Sequence, residues 1–134
     1  MKIDYDYMKK ILEIFLESKI PTSDWNDFTT LHKDSEDKFV FHIRIMFDKN
    51  LIKTLSNDNK TGINQAYRGD EYEYSISITE WRLSSEGHDF ASAIVKENIL
   101  NTIKEQFKEE GLSTIIDISK KIMIKKANKL LDEL

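Results

Sequence analysis

The sequence predicts a small α+β domain, and three observations support that prediction. Apolar residues recur at helical spacing near the start of the chain and again over its last third. Between these stretches, Tyr72, Tyr74, Ile76 and Ile78 alternate with polar residues, a pattern typical of a half-buried strand. Residues 83–90, LSSEGHDF, then have the composition of a strand end followed by a capped helix. A chain of 134 residues has the size of one domain with its own core.

The composition excludes several functional classes. Cysteine is absent, which excludes disulfides, thiolate catalysis and cysteine-ligated zinc, and fits a reducing compartment. The net charge of −4 argues against a protein that coats nucleic acid, although a local basic face is compatible with it. No apolar run has transmembrane length and no signal-peptide pattern opens the chain, so we expect a cytoplasmic protein.

The first 30 residues predict one helix and a short irregular segment. The helix spans about residues 4–18, with Asp4 as its N-cap, and ends ahead of Pro21. Trp25 and Phe28 are apolar anchors in a segment, about residues 25–30, that we interpret as a loop or a brief edge strand.

Residues 39–47 fit two interpretations. Large apolar residues alternate through them as in a strand. A helix over residues 35–49 is equally compatible, because Asp34 or Ser35 can cap its start and Asn50 can end it in a left-handed conformation. We prefer the helix, which leaves Phe41 and Ile45 on the face opposite the core stripe. A helix that is apolar on both sides is normally covered on both sides.

The middle of the chain predicts a hairpin with a long tip. Residues 51–55 form a short strand, residues 56–69 are polar and rich in turn formers, and the strand of residues 72–78 follows. The alternation slips between Ile78 and Trp81, which indicates a bulge or bend.

The last third predicts two or three helices. Ser84 or Ser85 caps the first, residues 96–98 form a weak point, and Gly111 ends the pattern as a C′ residue. Ser113 caps the last helix, whose apolar surface includes Ile115, Ile116, Ile118, Ile122, Ala127, Leu130 and Leu131.

This order of helix, irregular segment, helix and hairpin is the winged-helix arrangement, here with added C-terminal helices. We expect a single domain over residues 1–134, with a winged-helix-like core of about residues 4–96 and a helical extension of about 97–134. If residues 39–47 were a strand, the alternative would be a three-stranded antiparallel sheet flanked by helices.

Four segments resemble one family of small uncharacterised bacterial and prophage proteins, domain of unknown function 2513. They are residues 4–12, residues 41–52, residues 83–90, and residues 111–113 together with the helix that follows them, whereas residues 56–69 match nothing in it. The most recognisable is the segment LSSEGHDF, which is similar to a family motif of Leu-Thr-x-x-Gly-His-x-Phe. The resemblance implies a winged-helix-like fold with a helix at residues 39–47. It implies no catalytic residue.

The motif at residues 83–90 is better explained by structure than by catalysis. We interpret Ser84 as a cap, Gly87 as a residue packed too closely to the hairpin for a side chain, and Phe90 as a core residue. His88 then hydrogen-bonds a nearby carbonyl. The functional alternative makes His88 a general base or a metal ligand, but no nucleophile or second ligand is close in sequence.

No other pattern predicts catalysis or a cofactor. His32, His42 and His88 lack the spacing of metal ligands, and neither phosphate-binding glycine motif is present. We therefore expect no enzyme activity, metal, cofactor or small-molecule substrate.

Two binding functions remain. The first is a prophage-type regulator or accessory protein that binds DNA through Lys38 and Arg44 on the second long helix and through Lys60 and Arg68 on the hairpin. Asp37 and Asp48 on the same helix face make a poor match for a polyanion.

The alternative is a protein–protein interaction module without DNA contact. Phe41 and Ile45 need a cover, which is either the chain's own C-terminal helices or another subunit, giving a homodimer or a heterologous complex. The lysine-rich segment of residues 120–129 offers a site for an acidic partner or a membrane surface, but we interpret it as a solvated amphipathic helix and expect no membrane partner.

Overall fold

The computed structural model describes all 134 residues, and its class is α+β, as predicted. Six α-helices, one 3-10 turn and four short strands follow one another along the chain. Their bounds are α1 Tyr5–Glu17, the 3-10 turn Trp25–Phe28, α2 Thr29–His32, α3 Glu36–Asp48, β1 Ile52–Thr54, β2 Ile63–Arg68, β3 Glu71–Ile76, β4 Trp81–Leu83, α4 Ser85–Ile94, α5 Glu97–Gln106 and α6 Leu112–Asp132.

Three of the predicted helix starts are confirmed, together with their caps. The side chains of Asp4, Ser35 and Ser84 each accept a hydrogen bond from a backbone N–H in the first turn, at 2.9 to 3.2 Å. Asn50 has a φ of 57° directly after α3, which confirms the left-handed ending. The helix at residues 39–47 is therefore right, and the strand alternative with its three-stranded sheet is wrong.

The loop or edge strand predicted at residues 25–30 is wrong. The structure has a 3-10 turn there, followed by α2. Asp24 causes this, because its side chain accepts from the N–H of Asn26 at 2.9 Å while Asp27 accepts from the N–H of Asp24 at 2.8 Å. This reciprocal capping box satisfies the donors that open the helical segment. The two predicted anchors, Trp25 and Phe28, are buried.

The structure has a hairpin in this region, but the predicted pairing of residues 51–55 with residues 72–78 is wrong. Its base is the antiparallel pair β1–β4, and its outer part, the outer hairpin, is the antiparallel pair β2–β3. The irregular interpretation of all of residues 56–69 is wrong, because β2 begins at Ile63 and pairs along its whole length. The tip is short, at Gly69, and the phase slip near Ile78 marks the break between β3 and β4.

A third chain segment joins the base of the hairpin. Ser23 and Trp81 exchange backbone hydrogen bonds of 2.8 and 2.7 Å, so β4 lies between Ser23 and β1. Trp81 is 1% exposed and packs near Phe28, Phe39 and Phe47, with ring centroids 5.9 to 6.4 Å apart. This aromatic group ties the hairpin base to α3 and forms the centre of the core.

The predicted roles of Gly111 and Ser113 are wrong. The helix before them ends at Gln106, because the N–H of Glu110 donates to the carbonyl of Phe107 and closes a turn before the glycine. Gly111, with an extended backbone, is the N-cap of α6, and Ser113 lies in its first turn. The weak point at residues 96–98 is confirmed by the break between α4 and α5. No helix combines the length and the apolarity that crossing a bilayer requires.

Candidate binding face on α3 and the outer hairpin

The strand-to-helix junction is a buried structural joint. The Ser84 hydroxyl donates to the carbonyl of Asn50 at 2.5 Å and accepts from the N–H of Gly87 at 2.9 Å. A Cβ on Gly87 would overlap the carbonyl oxygen of Leu51. Phe90 is 3% exposed in the core. The imidazole of His88 is exposed and makes no hydrogen bond within the protein, so the predicted bond from this side chain to a nearby carbonyl is wrong. The backbone N–H of His88 donates to the carbonyl of Ser84, as the first turn of a helix requires.

The other two histidines also serve the fold. His42 is fully buried between α1 and α3, where Nε2 accepts from the N–H of Asp4 at 2.9 Å and Nδ1 donates to the carbonyl of Lys38 at 2.7 Å. Burial lowers the pKa of His42, which favours its neutral form. His32 stacks on Trp25 at 4.0 Å. No three histidine or acidic side chains are grouped closely enough to hold a metal ion.

Two of the four proposed DNA-contacting residues are engaged within the domain. The ammonium of Lys38 lies 2.9 Å from a carboxylate oxygen of Asp4 and 4.7 Å from the ring centre of Tyr7. Arg44 donates to the side chain of Gln65 at 2.9 Å and lies over the ring of Tyr74. Lys38 therefore faces α1, whereas Arg44 faces the outer hairpin.

The other two proposed DNA-contacting residues are exposed. The side chain of Arg68 is 83% exposed and lies 3.4 Å from Glu73. Side chains alternate along a strand, so Arg68 and Glu73 lie on the side of the outer hairpin opposite Tyr72. Lys60 is exposed ahead of β2. The four cations therefore do not form one surface.

Phe41 and Ile45 do lie together, in a cleft between α3 and the outer hairpin. Both are half-buried, and the cleft has a volume of about 330 Å³. Tyr72 and Tyr74 form the opposite wall of the cleft. Part of the cover predicted for Phe41 and Ile45 therefore comes from the outer hairpin and not from the C-terminal helices. The cleft is otherwise open.

Asp37 fixes the outer hairpin over α3. The hydroxyls of Tyr74 and Tyr72 donate to the same carboxylate oxygen of Asp37, at 2.6 and 2.7 Å. These two hydrogen bonds hold the pKa of Asp37 below its ordinary value, because they stabilise the carboxylate. Burial, and then the hydrogen bond to Asp37, raise the pKa of the Tyr74 hydroxyl. The Asp37 carboxylate is thus an anchor for the hairpin.

Three tyrosines cover the α3 side of the outer hairpin. The ring centres of Tyr67 and Tyr72 are 5.6 Å apart, and those of Tyr72 and Tyr74 are 5.7 Å apart. Tyr67 is 69% exposed and Tyr72 is 43% exposed. We call these tyrosines, together with Asp37, Phe41, Arg44 and Ile45, the α3–hairpin face.

The sequence alone identified most of the residues of this face but not the contact that joins its two parts. It identified Phe41, Ile45 and Arg44 from the helix pattern, and it placed Tyr72 and Tyr74 on one side of a strand. It missed the contact of both tyrosines with Asp37, which lies 35 residues or more away along the chain. The available signal was a pair of tyrosines at positions i and i+2, which necessarily share one side of a strand.

A family model described as "Hypothetical protein (DUF2513)" matches residues 2–113. The chain belongs to this family. The match includes the whole α3–hairpin face and the junction at residues 83–90, whereas nearly all of α6 lies beyond it. No curated protein and no solved structure matches the chain.

Proposed function

We propose that this chain is a non-enzymatic, winged-helix-like binding protein whose α3–hairpin face binds another protein. The order of elements supports the winged-helix assignment: α1, a strand-like bridge at Ser23, α2, α3 and then the hairpin. The strand order also fits that arrangement, because β4 lies between the bridge at Ser23 and β1. The absence of cysteine fits a regulator or accessory protein of prophage type in a cytoplasm.

One observation supports a protein partner more than any other. Tyr67 and Tyr72 are exposed beside an apolar cleft, and Asp37 holds the outer hairpin that carries them. Tyrosine is enriched in protein interfaces because its ring contributes a large contact area and its hydroxyl a hydrogen bond. A surface already held in one conformation loses little entropy when it binds.

Charge favours a protein partner over duplex DNA. A nucleic-acid interface needs several free cations directed at phosphates. Asp37 and Asp48 lie on α3, and Asp70, Glu71 and Glu73 cluster at the tip of the outer hairpin. A phosphate backbone on this face would meet the α3 carboxylates. Glu71 and Glu73 lie on the other side of the outer hairpin, where they make the surface around Arg68 acidic.

Duplex DNA is the second candidate. The helix, helix and hairpin order favours it, since such proteins insert the second helix of the motif into the major groove. Lys60 and Arg68 are exposed on the hairpin, as a backbone-contacting wing requires.

A titration of random duplex DNA at low ionic strength separates the two candidates. If the partner is a protein, we expect no salt-dependent binding of the duplex. If DNA is the ligand, binding weakens steeply with salt, and Arg44→Ala, Lys60→Ala and Arg68→Ala each weaken it further. The second result would replace the protein-binding proposal with DNA binding.

A complementary experiment isolates complexes from the cells that make the protein. We expect one partner at fixed stoichiometry, lost in Phe41→Asp and in Tyr67→Ser. The matched control is Ile20→Ser, because Ile20 is 63% exposed and lies beside the end of α1, away from this face. Equal recovery by all variants would contradict the assignment of the face.

A further inference from the structure

The last helix, α6, packs on the domain with its first half only. Leu112, Ile115 and Ser119 are buried, and α6 contacts α4 and α5. Every residue from Ile124 onwards is exposed. At 1.5 Å per residue, the helical part of this exposed segment, residues 124–132, is about 13 Å long. It nevertheless carries large apolar side chains, with Ile124 53%, Leu130 57% and Leu131 63% exposed.

These apolar residues continue one stripe along α6. Positions 116, 120, 123, 127 and 130 follow one another at alternating intervals of four and three residues, and all of them except Lys120 are apolar. This spacing is the seam along which two helices pack, and Ile124 and Leu131 widen it on one side. Two and a half heptads are too short for an independent coiled coil, so a paired helix needs further contacts.

A groove beside the stripe supplies such contacts. It has a volume of about 380 Å³ and lies between α4 and α6. Phe90 and Met123 contribute apolar lining. Three carboxylates, of Glu86, Asp89 and Asp117, line the groove against one lysine, Lys120, so its lining is net acidic. The exposed segment of α6 has the opposite charge, with lysines at 125, 126 and 129 against one carboxylate, Asp132.

We propose that α6 pairs antiparallel with α6 of a second copy of this chain, with each copy's Leu130 and Leu131 in the other's groove. A twofold axis makes such a contact self-complementary, since each chain supplies one acidic groove and one basic, leucine-bearing helix end. The apolar seam supplies affinity, and the charge pattern sets the antiparallel direction. This surface is separate from the α3–hairpin face.

The first test measures the mass of the full chain by sedimentation over a range of concentrations. We expect a concentration-dependent dimer that dissociates more readily at high salt. Leu130→Asp should raise its dissociation constant at least roughly tenfold. Leu130 is exposed in a single chain, so the variant keeps its fold and its helix content. Leu55→Asp, at a hairpin position that is 56% exposed, is the matched control and leaves the dimer intact.

The second test exchanges charges between two variants. Glu86→Lys with Asp89→Lys reverses the groove, and Lys125→Glu with Lys126→Glu and Lys129→Glu reverses the helix end. Each variant alone should be monomeric, and a mixture should form a heterodimer, because one groove then meets a reversed helix end and the other contact is native. The proposal would be overturned by a monomeric wild type, or by a dimer that Leu130→Asp leaves unaffected. It would also be overturned if the mixed variants formed no heterodimer, or if α6 bound anionic vesicles instead of self-associating.

Discussion

The junction at residues 84–90 and the α3–hairpin face both bring polar groups together, but they use them in opposite ways. At the junction, the Ser84 hydroxyl is buried and bonds to backbone atoms, and Gly87 leaves no free space. At the face, two tyrosine hydroxyls meet Asp37 near the surface, and the rings beside them remain accessible. The first region fixes the architecture, and the second has a surface left for a partner.

The difference teaches that local clustering in the sequence is a poor guide to function in this chain. Glu86, His88 and Asp89 are neighbours in sequence, yet the imidazole of His88 is exposed and bonds to nothing in the protein. Asp37 and Tyr74 are 37 residues apart, yet they form one of the two hydrogen bonds that hold the outer hairpin over α3.

The largest expected loss of stability comes from a substitution that disrupts the packing of the junction. Gly87→Ala places a methyl group against the carbonyl of Leu51, so the hairpin base or α4 must shift. We expect a loss of about 3 kcal/mol in the free energy of unfolding, measured by urea denaturation. Gly111→Ala, at an N-cap position where a Cβ meets nothing, should cost about 1 kcal/mol or less. Equal effects at the two glycines would contradict the close packing of the junction.

A smaller effect separates the confirmed cap at Ser84 from the wrongly predicted cap at Ser113. Ser84→Ala removes the acceptor for the N–H of Gly87 and should cost about 2 kcal/mol. Ser113→Ala removes only an exposed contact with Lys49 and should cost less than about 0.5 kcal/mol. Thermal or urea unfolding of the two variants checks the order, and a larger loss at Ser113 would be inconsistent with the capping geometry.

The next expected effect comes from weakening the attachment of the outer hairpin to α3 while the rest of the domain stays folded. Tyr74→Phe removes one of the two hydrogen bonds to Asp37 and should cost about 1 kcal/mol. Amide hydrogen exchange should speed up in β2 and β3 while the base of the hairpin, β1–β4, stays protected. Tyr72→Phe, at the more exposed of the two hydroxyls, should have the smaller effect. Uniform exchange across the domain would show that the outer hairpin is not a separate unit.

The smallest expected effect on stability is a pH dependence that comes from His42. Burial lowers its folded pKa below the value of 6.5 expected in the unfolded chain. As pH falls through that value, the unfolded chain takes up a proton that the folded protein resists, so stability decreases until the folded pKa is reached. We expect unfolding free energy to fall from about pH 7 to pH 5, above the range where carboxylates titrate.

The control for this pH dependence is a pair of histidine variants. His42→Gln should flatten the curve over this range, whereas His88→Gln, at an exposed position, should leave it as in the wild type. A wild-type stability that rises on acidification would show that the buried imidazole is not held neutral.

Most of the helices could be predicted because their signals are local. Asp4, Ser35 and Ser84 each precede an amphipathic segment, and each cap bonds within three residues. The capping box of Asp24 and Asp27 is equally local. The interpretation of residues 25–30 as a loop or a brief edge strand missed this signal. Gly111 was misassigned because glycine favours both ends of a helix, and only the turn at Phe107 decides between them.

The rest depended on contacts between distant residues. β2 lacks an apolar alternation because nearly all of its side chains are partly or fully exposed, so only its pairing with β3 defines it as a strand. Phe41 and Ile45 were correctly identified as needing a cover, but the sequence did not reveal that Tyr72 and Tyr74 supply part of it. The contact of Asp37 with two tyrosines is likewise a product of the folded hairpin.

The most direct measurement of the central claim places a photo-crosslinking benzoylphenylalanine at Tyr67 in the cells that make the protein. Its benzophenone would occupy the exposed end of the α3–hairpin face, and the same group at Ile20 is the control, since the two positions are 69% and 63% exposed. The account predicts a discrete adduct from position 67 that protease removes and nuclease does not, and none from position 20. A nuclease-sensitive adduct at position 67, or equal labelling from both positions, would contradict it.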